Sequence, residues 1–153
     1  MLIGSDVGGT NLVAAKVKDS GEILEEISIP VNRSASAEQL YADLVCLAQQ
    51  VAKEDEIDAV GIGFPGLVDN QSGIVVQTPN MPFSNTPFRE LFQKQWNVPV
   101  YVGNDANCAD PLRNGANARG SQKSPLGRVL RASRLTARRT CVPGSKERRF
   151  HRA

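Results

Sequence analysis

Cysteine and histidine are scarce in this chain, and long apolar runs are missing from it. Its 153 residues hold three cysteines, Cys46, Cys108 and Cys141, and a lone histidine, His151. The cysteines are odd in number, widely spaced and without a CxxC pair. That spacing argues against a disulfide framework or a zinc site and for reduced thiols in a cytoplasm. His151 has no metal-ligating partner beside it, so no zinc or histidine-based metal site is expected. No apolar stretch approaches the roughly eighteen residues a bilayer crossing needs, and no secretory leader or membrane association is expected. What is present, 41% hydrophobic and 22% charged residues, suits a soluble globular protein. The length allows one domain with a real core and not two large ones.

The net charge of +2 conceals a division. Residues 1–123 carry 9 basic against 15 acidic side chains, whereas residues 124–153 carry 9 basic, eight of them Arg, against Glu147 alone. A break that sharp marks a boundary between an acidic domain over 1–123 and an Arg-rich tail over 124–153, which is expected to pack poorly.

Within the first part, residues 2–7, 11–19 and 22–31 read as three short strands joined by Gly-containing turns, an antiparallel meander. Residues 34–54 change period: Leu40, Leu44, Leu47, Ala48 and Val51 fall at helical spacing, with Ser36 as N-cap. A buried-type strand follows at 57–66, then a small hairpin over 67–76 around Ser72-Gly73. Thr86 is expected to cap a helix that Pro87 begins and that runs to about Trp96. A strand at 98–102 and a second helix start at 103–109 complete the order βββαβαβ. That order fits a mixed five-stranded α/β layer.

Three glycine-rich or polar stretches interrupt this pattern. In "DVGGT" (6–10), consecutive glycines can turn their N–H groups toward an anion, Thr10 and Asn11 add donors, and Asp6 at a strand end suits water-mediated Mg²⁺. A tight hairpin turn with an Asx hydrogen bond is the alternative. It is not a P-loop, because no GK[ST] follows. "GIGFPG" (61–66) matches GxGxxG literally, yet Pro65 and a hairpin stand where a dinucleotide fold needs a helix, and residues 81–89 lack the required acid. A glycine-lined wall beside a small ligand fits better. In "GNDAN" (103–107), Asp105 is either a helix N-cap or a carboxylate at the ligand-binding end of a strand. Asn104 beside it both donates and accepts, which suits a sugar hydroxyl.

Together, "DVGGTN", "GIGFPGLVD", "TPNMPF" and "NDANCA" resemble the N-terminal half of the ROK family of bacterial sugar kinases and sugar-responsive repressors, glucokinases and fructokinases among them. The resemblance runs through about residues 2–109. It implies a ribonuclease-H-like domain of the actin-like ATPase superfamily, with ATP, Mg²⁺ and a hexose in a cleft against a second domain. By that resemblance Asp6, Gly8, Gly9, Thr10 and Asn11 form the first phosphate loop. Gly66 and Asn80 lie along the sugar wall, and Asn104 and Asp105 grip the sugar hydroxyl, with Asp105 taking its proton. The family's proteins are often homo-oligomers. Its repressors carry a DNA-binding helix-turn-helix ahead of the phosphate loop, and none is expected here because the loop's strand starts at Leu2.

Beyond Asn107 the family pattern fades. Pro111 interrupts an expected helix, and the second Gly-rich phosphate loop, the Glu-x-Gly-His sugar motif and the Cys-rich zinc motif do not appear. One explanation is a reading-frame shift, since Gly-rich coding sequence read out of frame readily yields Arg. With free third bases, "PLGRVLRAS" (125–133) shifted by two nucleotides reads Leu-Gly-Thr-Gly-Val-Ala-Gly-Ile, a second phosphate loop. The resulting chain would be a truncated kinase, weakly active or inactive, that exposes its cleft face and self-associates. Two alternatives stay open. Arg128, Arg131, Arg134 and Arg138 would align on one helical face and bind nucleic acid or an acidic surface, though the tail has one aromatic, Phe150. The chain would otherwise serve as a non-catalytic sugar- or nucleotide-binding half-domain. Resequencing the locus tests the first idea: a shifted downstream frame is expected to encode the second phosphate loop and Glu-x-Gly-His, and their absence rejects the frameshift.

Overall fold

A computed structural model describes residues 1–104. The strands are β1 Leu2–Val7, β2 Asn11–Val17, β3 Ile23–Pro30, β4 Ala59–Phe64, β5 Leu67–Asp69, β6 Ile74–Gln77, β7 Ser84–Thr86 and β8 Val100–Asn104. The helices are α1 Ala37–Ala52 and α2 Phe88–Trp96. Five strands form a mixed sheet in the order β3-β2-β1-β4-β8, and β5-β6-β7 form a separate three-stranded sheet. The meander is antiparallel, and β4 and β8 add in parallel to β1, as α/β crossovers require. This is the mixed five-stranded layer expected of the ribonuclease-H-like, actin-like ATPase fold.

Local chemistry explains most element ends. Gly21 has φ +91°, a value that favours glycine, and closes the β2–β3 turn by donating its N–H to the Lys18 carbonyl at 2.8 Å. At α1, Ser36 is extended (φ −71°, ψ 167°) and its hydroxyl accepts from the Gln39 N–H at 3.2 Å, the expected cap. The helix then buries Leu40, Leu44, Val45, Leu47, Ala48, Val51 and Ala52 against the sheet.

The start of α2 differs from expectation. Thr86 does not cap it: Thr86 belongs to β7, opposite Val75, and its hydroxyl donates to the Ser84 carbonyl at 3.4 Å. Pro87 is itself the cap residue, with ψ 69° and no side-chain hydrogen bond, rather than the first helical residue. The reason is steric, because a residue before proline is pushed into extended backbone, and here that backbone completes a strand.

Both helices cover one face of the five-stranded sheet. Ile3, Val7, Leu12, Ala14, Val60, Ile62, Val100 and Val102 join them in one core, with Phe64, Phe83, Phe88 and Phe92 packed at the junction of the two sheets. Ring centroids of Phe64 and Phe88 lie 4.4 Å apart, and those of Phe83 and Phe88 5.0 Å. Tyr41 of α1 reaches α2 by donating its hydroxyl to the Leu91 carbonyl at 3.2 Å. Leu2, Ala15, Val17 and Ala59 form a smaller cluster on the opposite face. Among the described residues no helix is long and apolar enough to cross a membrane. Truncating Phe88, fully buried and in contact with four other rings, is expected to cost about 3–5 kcal/mol, read as a lowered urea midpoint at an unchanged slope for Phe88→Ala.

Candidate functional site

The candidate residues gather at the carboxyl ends of the parallel strands β1, β4 and β8, the edge where open α/β sheets bind ligands. Asp6, half-buried near the end of β1, pairs in register with Val13 and Gly63. Its neighbours on β4 on that face, Gly61 and Gly63, have no side chains, so the Asp6 carboxylate stands over bare backbone. A Cβ built on Gly63 would lie 3.5 Å from Asp6 Oδ1.

The two glycines of the following turn have different reasons to be glycine. Gly8 donates its N–H to the Asn11 carbonyl at 2.9 Å, and a Cβ on Gly8 would stand 3.0 Å from that same oxygen. Turn closure alone therefore accounts for Gly8. Gly9 has no left-handed φ, and a Cβ there would meet nothing within 4 Å. No neighbour in the described residues requires its bareness, which leaves its backbone open to a ligand. Thr10 is exposed and its carbonyl accepts from the Val31 N–H at 2.8 Å, tying the turn to the end of β3. Asn11 is half-buried and begins β2 opposite Pro30.

Across the sheet, Gly66 has φ +98°, and a Cβ there would strike the Gln77 carbonyl and stand 3.0 Å from Pro79 Cδ. Its carbonyl accepts a hydrogen bond from Asn104 Nδ2. Asn80, exposed and left-handed at φ 59°, follows Pro79 directly. The Thr78 hydroxyl steadies that turn by donating to the Met81 carbonyl at 3.3 Å. The structure thus joins Gly66 to Asn104 and packs Gly66 against Gln77, Thr78 and Pro79, the stretch that leads into Asn80. Asp6 pairs with Gly63 and Asn104 with Phe64, one residue further, so strand alternation puts the two on opposite faces of one edge. The two groups flank the edge and do not form one cluster. Asp105, the second helix start and the Arg-rich stretch lie outside the described residues.

The sequence places the β5–β6 hairpin around Ser72-Gly73 but assigns Asp69 no role in it. The Asp69 carboxylate accepts from the Ser72 hydroxyl at 2.7 Å and from the Gln71 N–H at 3.0 Å. These bonds, the Ser72 hydroxyl first, hold its pKa below the ordinary carboxylate value. The signal was available in "DNQSG", an Asx-turn composition.

The contrast between the glycines is testable. Gly9→Ala is expected to leave stability within about 0.5 kcal/mol of wild type, whereas Gly66→Ala loses more than about 1 kcal/mol from its positive φ and crowding, both read by thermal or urea unfolding.

Comparison with known proteins gives the chain a family. The ROK family signature matches residues 2–123. A glucokinase of Streptomyces coelicolor is 36% identical over 110 residues, which cover 71% of this chain and 34% of that protein. A xylose repressor of Caldicellulosiruptor bescii is 31% identical over 112 residues, covering 70% and 28%. The structure of a ROK family glucokinase from Streptomyces griseus in complex with glucose and AMPPNP superposes with a TM-score of 0.65 at 28% identity, covering 78% of this chain and 38% of that one. The chain spans about a third of the length of the curated relatives it matches. With the family signature extending over most of its length and its fold shared with a sugar-bound relative, this chain belongs to the ROK family.

Proposed function

We propose that residues 1–123 are the N-terminal half of an ATP-dependent hexose kinase of the glucokinase or fructokinase type, and that 124–153 form a tail outside the family pattern. The observation that carries this reading is the shared edge. The bare Gly9 turn and Asp6 flank it on one side, and the Gly66–Asn104 pair on the other, in a chain whose fold matches a glucokinase bound to glucose and AMPPNP.

The donors present suit a nucleotide's phosphates. Gly9 offers unobstructed backbone, Thr10 and Asn11 offer side-chain donors, and Asp6 offers one half-buried carboxylate, enough for Mg²⁺ held through water. When bound, ATP supplies the phosphoryl group and Mg²⁺ offsets charge on its oxygens. The chain's own residues then position and deprotonate. Gly8 and Gly9 shape the phosphate loop; Gly66, Asn80 and Asn104 orient a hexose hydroxyl; Asp105 accepts its proton as general base. Asn104 donates its Nδ2 to the Gly66 carbonyl, which fixes the side chain at the sugar wall. The protein is placed in the cytoplasm, with a hexose as substrate and self-association through its cleft face.

The 153-residue chain carries one wall of the cleft. Orientation supplies about 7–11 kcal/mol of barrier lowering only when both walls hold the reactants. Phosphorylation of glucose or fructose by the purified chain is therefore expected well below the roughly 1–100 s⁻¹ usual for kinases, with Asp105→Asn removing what remains. Turnover of ordinary magnitude, abolished by Asp105→Asn, would show that the second wall is supplied elsewhere. The xylose repressor among the relatives favours a second reading, a sugar-binding half-domain without catalysis. Saturable hexose binding with no turnover, weakened by Asn104→Ala, would support it.

A further inference from the structure

The β5–β6 hairpin, which begins beside Gly66 and leads into the Asn80 turn, belongs to the smaller sheet and shares no ladder with the larger one. Its position relative to Asn104 is therefore set by side chains. At the base of the hairpin, Asn104 at the end of β8 holds the Gly66 carbonyl. At its tip Arg89 makes the polar attachment seen among the described residues. Arg89, in the first turn of α2, donates Nη2 to the Asn70 carbonyl at 2.7 Å, Nη1 to the Gln71 carbonyl, and Nε to the Val100 carbonyl at 3.0 Å. Its backbone N–H donates to the Gly73 carbonyl at 3.2 Å. Gly73 has φ +72°, and a Cβ there would strike Arg89 Cβ and stand 2.9 Å from Arg89 Nε. The turn is thus fitted to this guanidinium.

Val100 opens β8 and Asn104 closes it. The hairpin is pinned at tip and base to the two ends of one strand, with Val75 and Phe83 filling the space between. We infer that Arg89 is a positioning residue that fixes the Gly66–Asn80 wall against Asn104 and thereby sets hexose selectivity, an inference that rests on the hexose-kinase reading only in its last step. Only a planar fork with donors on three nitrogens can bridge Asn70, Gln71 and Val100 together. A lysine ammonium in its place engages one or two of them. Among the described residues, removing the guanidinium leaves the Arg89 N–H on the Gly73 carbonyl and Asn104 on the Gly66 carbonyl as the polar links, and the hairpin then loosens about Gly66.

The test uses the full 153-residue chain with Arg89→Ala and Arg89→Lys. Without ligand, amide exchange in Gly73–Gln77 is expected to accelerate by at least about tenfold while β1–β4 keep their protection, because several hydrogen bonds to a charged donor are lost. The Asn104 side-chain amide resonance is expected to move with it. Unchanged hairpin exchange, or an unmoved Asn104 resonance, overturns the inference. With ligand, calorimetric titration against glucose and its C2 epimer mannose is expected to show a Kd ratio altered on the order of tenfold at retained stoichiometry. Lower stoichiometry with both Kd values unchanged would mean lost folded protein only, and would overturn the role in selectivity. If wild type binds neither hexose, the hexose-kinase reading and the selectivity claim fall together, while the ligand-free measurements still decide whether Arg89 positions Asn104.

Discussion

The packing of Phe64, Phe83 and Phe88 is the constraint on which the arrangement of the candidate site depends. These rings come from the end of β4, from the loop before β7 and from the start of α2. The two sheets share no backbone ladder, so this cluster is what brings the hairpin wall up to the edge of the main sheet. Aromatic rings contribute both area and preferred geometry, and the edge-on contact of Phe83 with Phe88, at 83°, resists sliding as well as separation. The polar contacts of Asn104 and Arg89 then select one orientation within what the rings allow.

Much of this was legible in the residues themselves. The meander, α1 and its Ser36 cap, the hairpin around Ser72-Gly73 and the two parallel strands all follow from period and turn chemistry. Those signals are local, and the structure obeys them. β7 was missed because Ser84, Asn85 and Thr86 carry no apolar alternation; its strand character comes from pairing with β6 and from the proline that follows. Arg89 was missed for a different reason. Its partners are backbone carbonyls up to 19 residues away, and carbonyls leave no mark in a sequence.

The site shows the same division between local and non-local causes. From sequence, "GGT" reads as two equivalent glycines shaped for one ligand. In the fold Gly8 is accounted for by its own turn and Gly9 is not, so only the second carries information about what approaches from outside. Gly66 is likewise accounted for by φ and crowding, whatever else lies against it. A glycine-rich motif is therefore a mixture, and its functional content sits in the positions the fold leaves unexplained. Buried charge in this fold follows a structural logic instead: Lys16, 6% exposed, pairs with Asp55, which lowers the Asp55 pKa and ties the turn after α1 to β2.

The edges of the main sheet carry a consequence for solubility. An open edge strand offers unpaired backbone groups to any passing strand and seeds aggregation. The β8 edge is guarded because the Arg89 guanidinium occupies the Val100 carbonyl and the β5 strand packs alongside. The β3 edge is guarded differently, by Glu25 and Glu26 within the strand and Pro30 at its end. One edge thus depends on Arg89 reaching over from α2 and on β5, and the other on Glu25, paired with Lys53, on Glu26 and on a missing N–H. The two therefore respond differently to salt: the partly exposed Lys53–Glu25 pair is screened as ionic strength rises, while a guanidinium bonded to backbone carbonyls is screened far less.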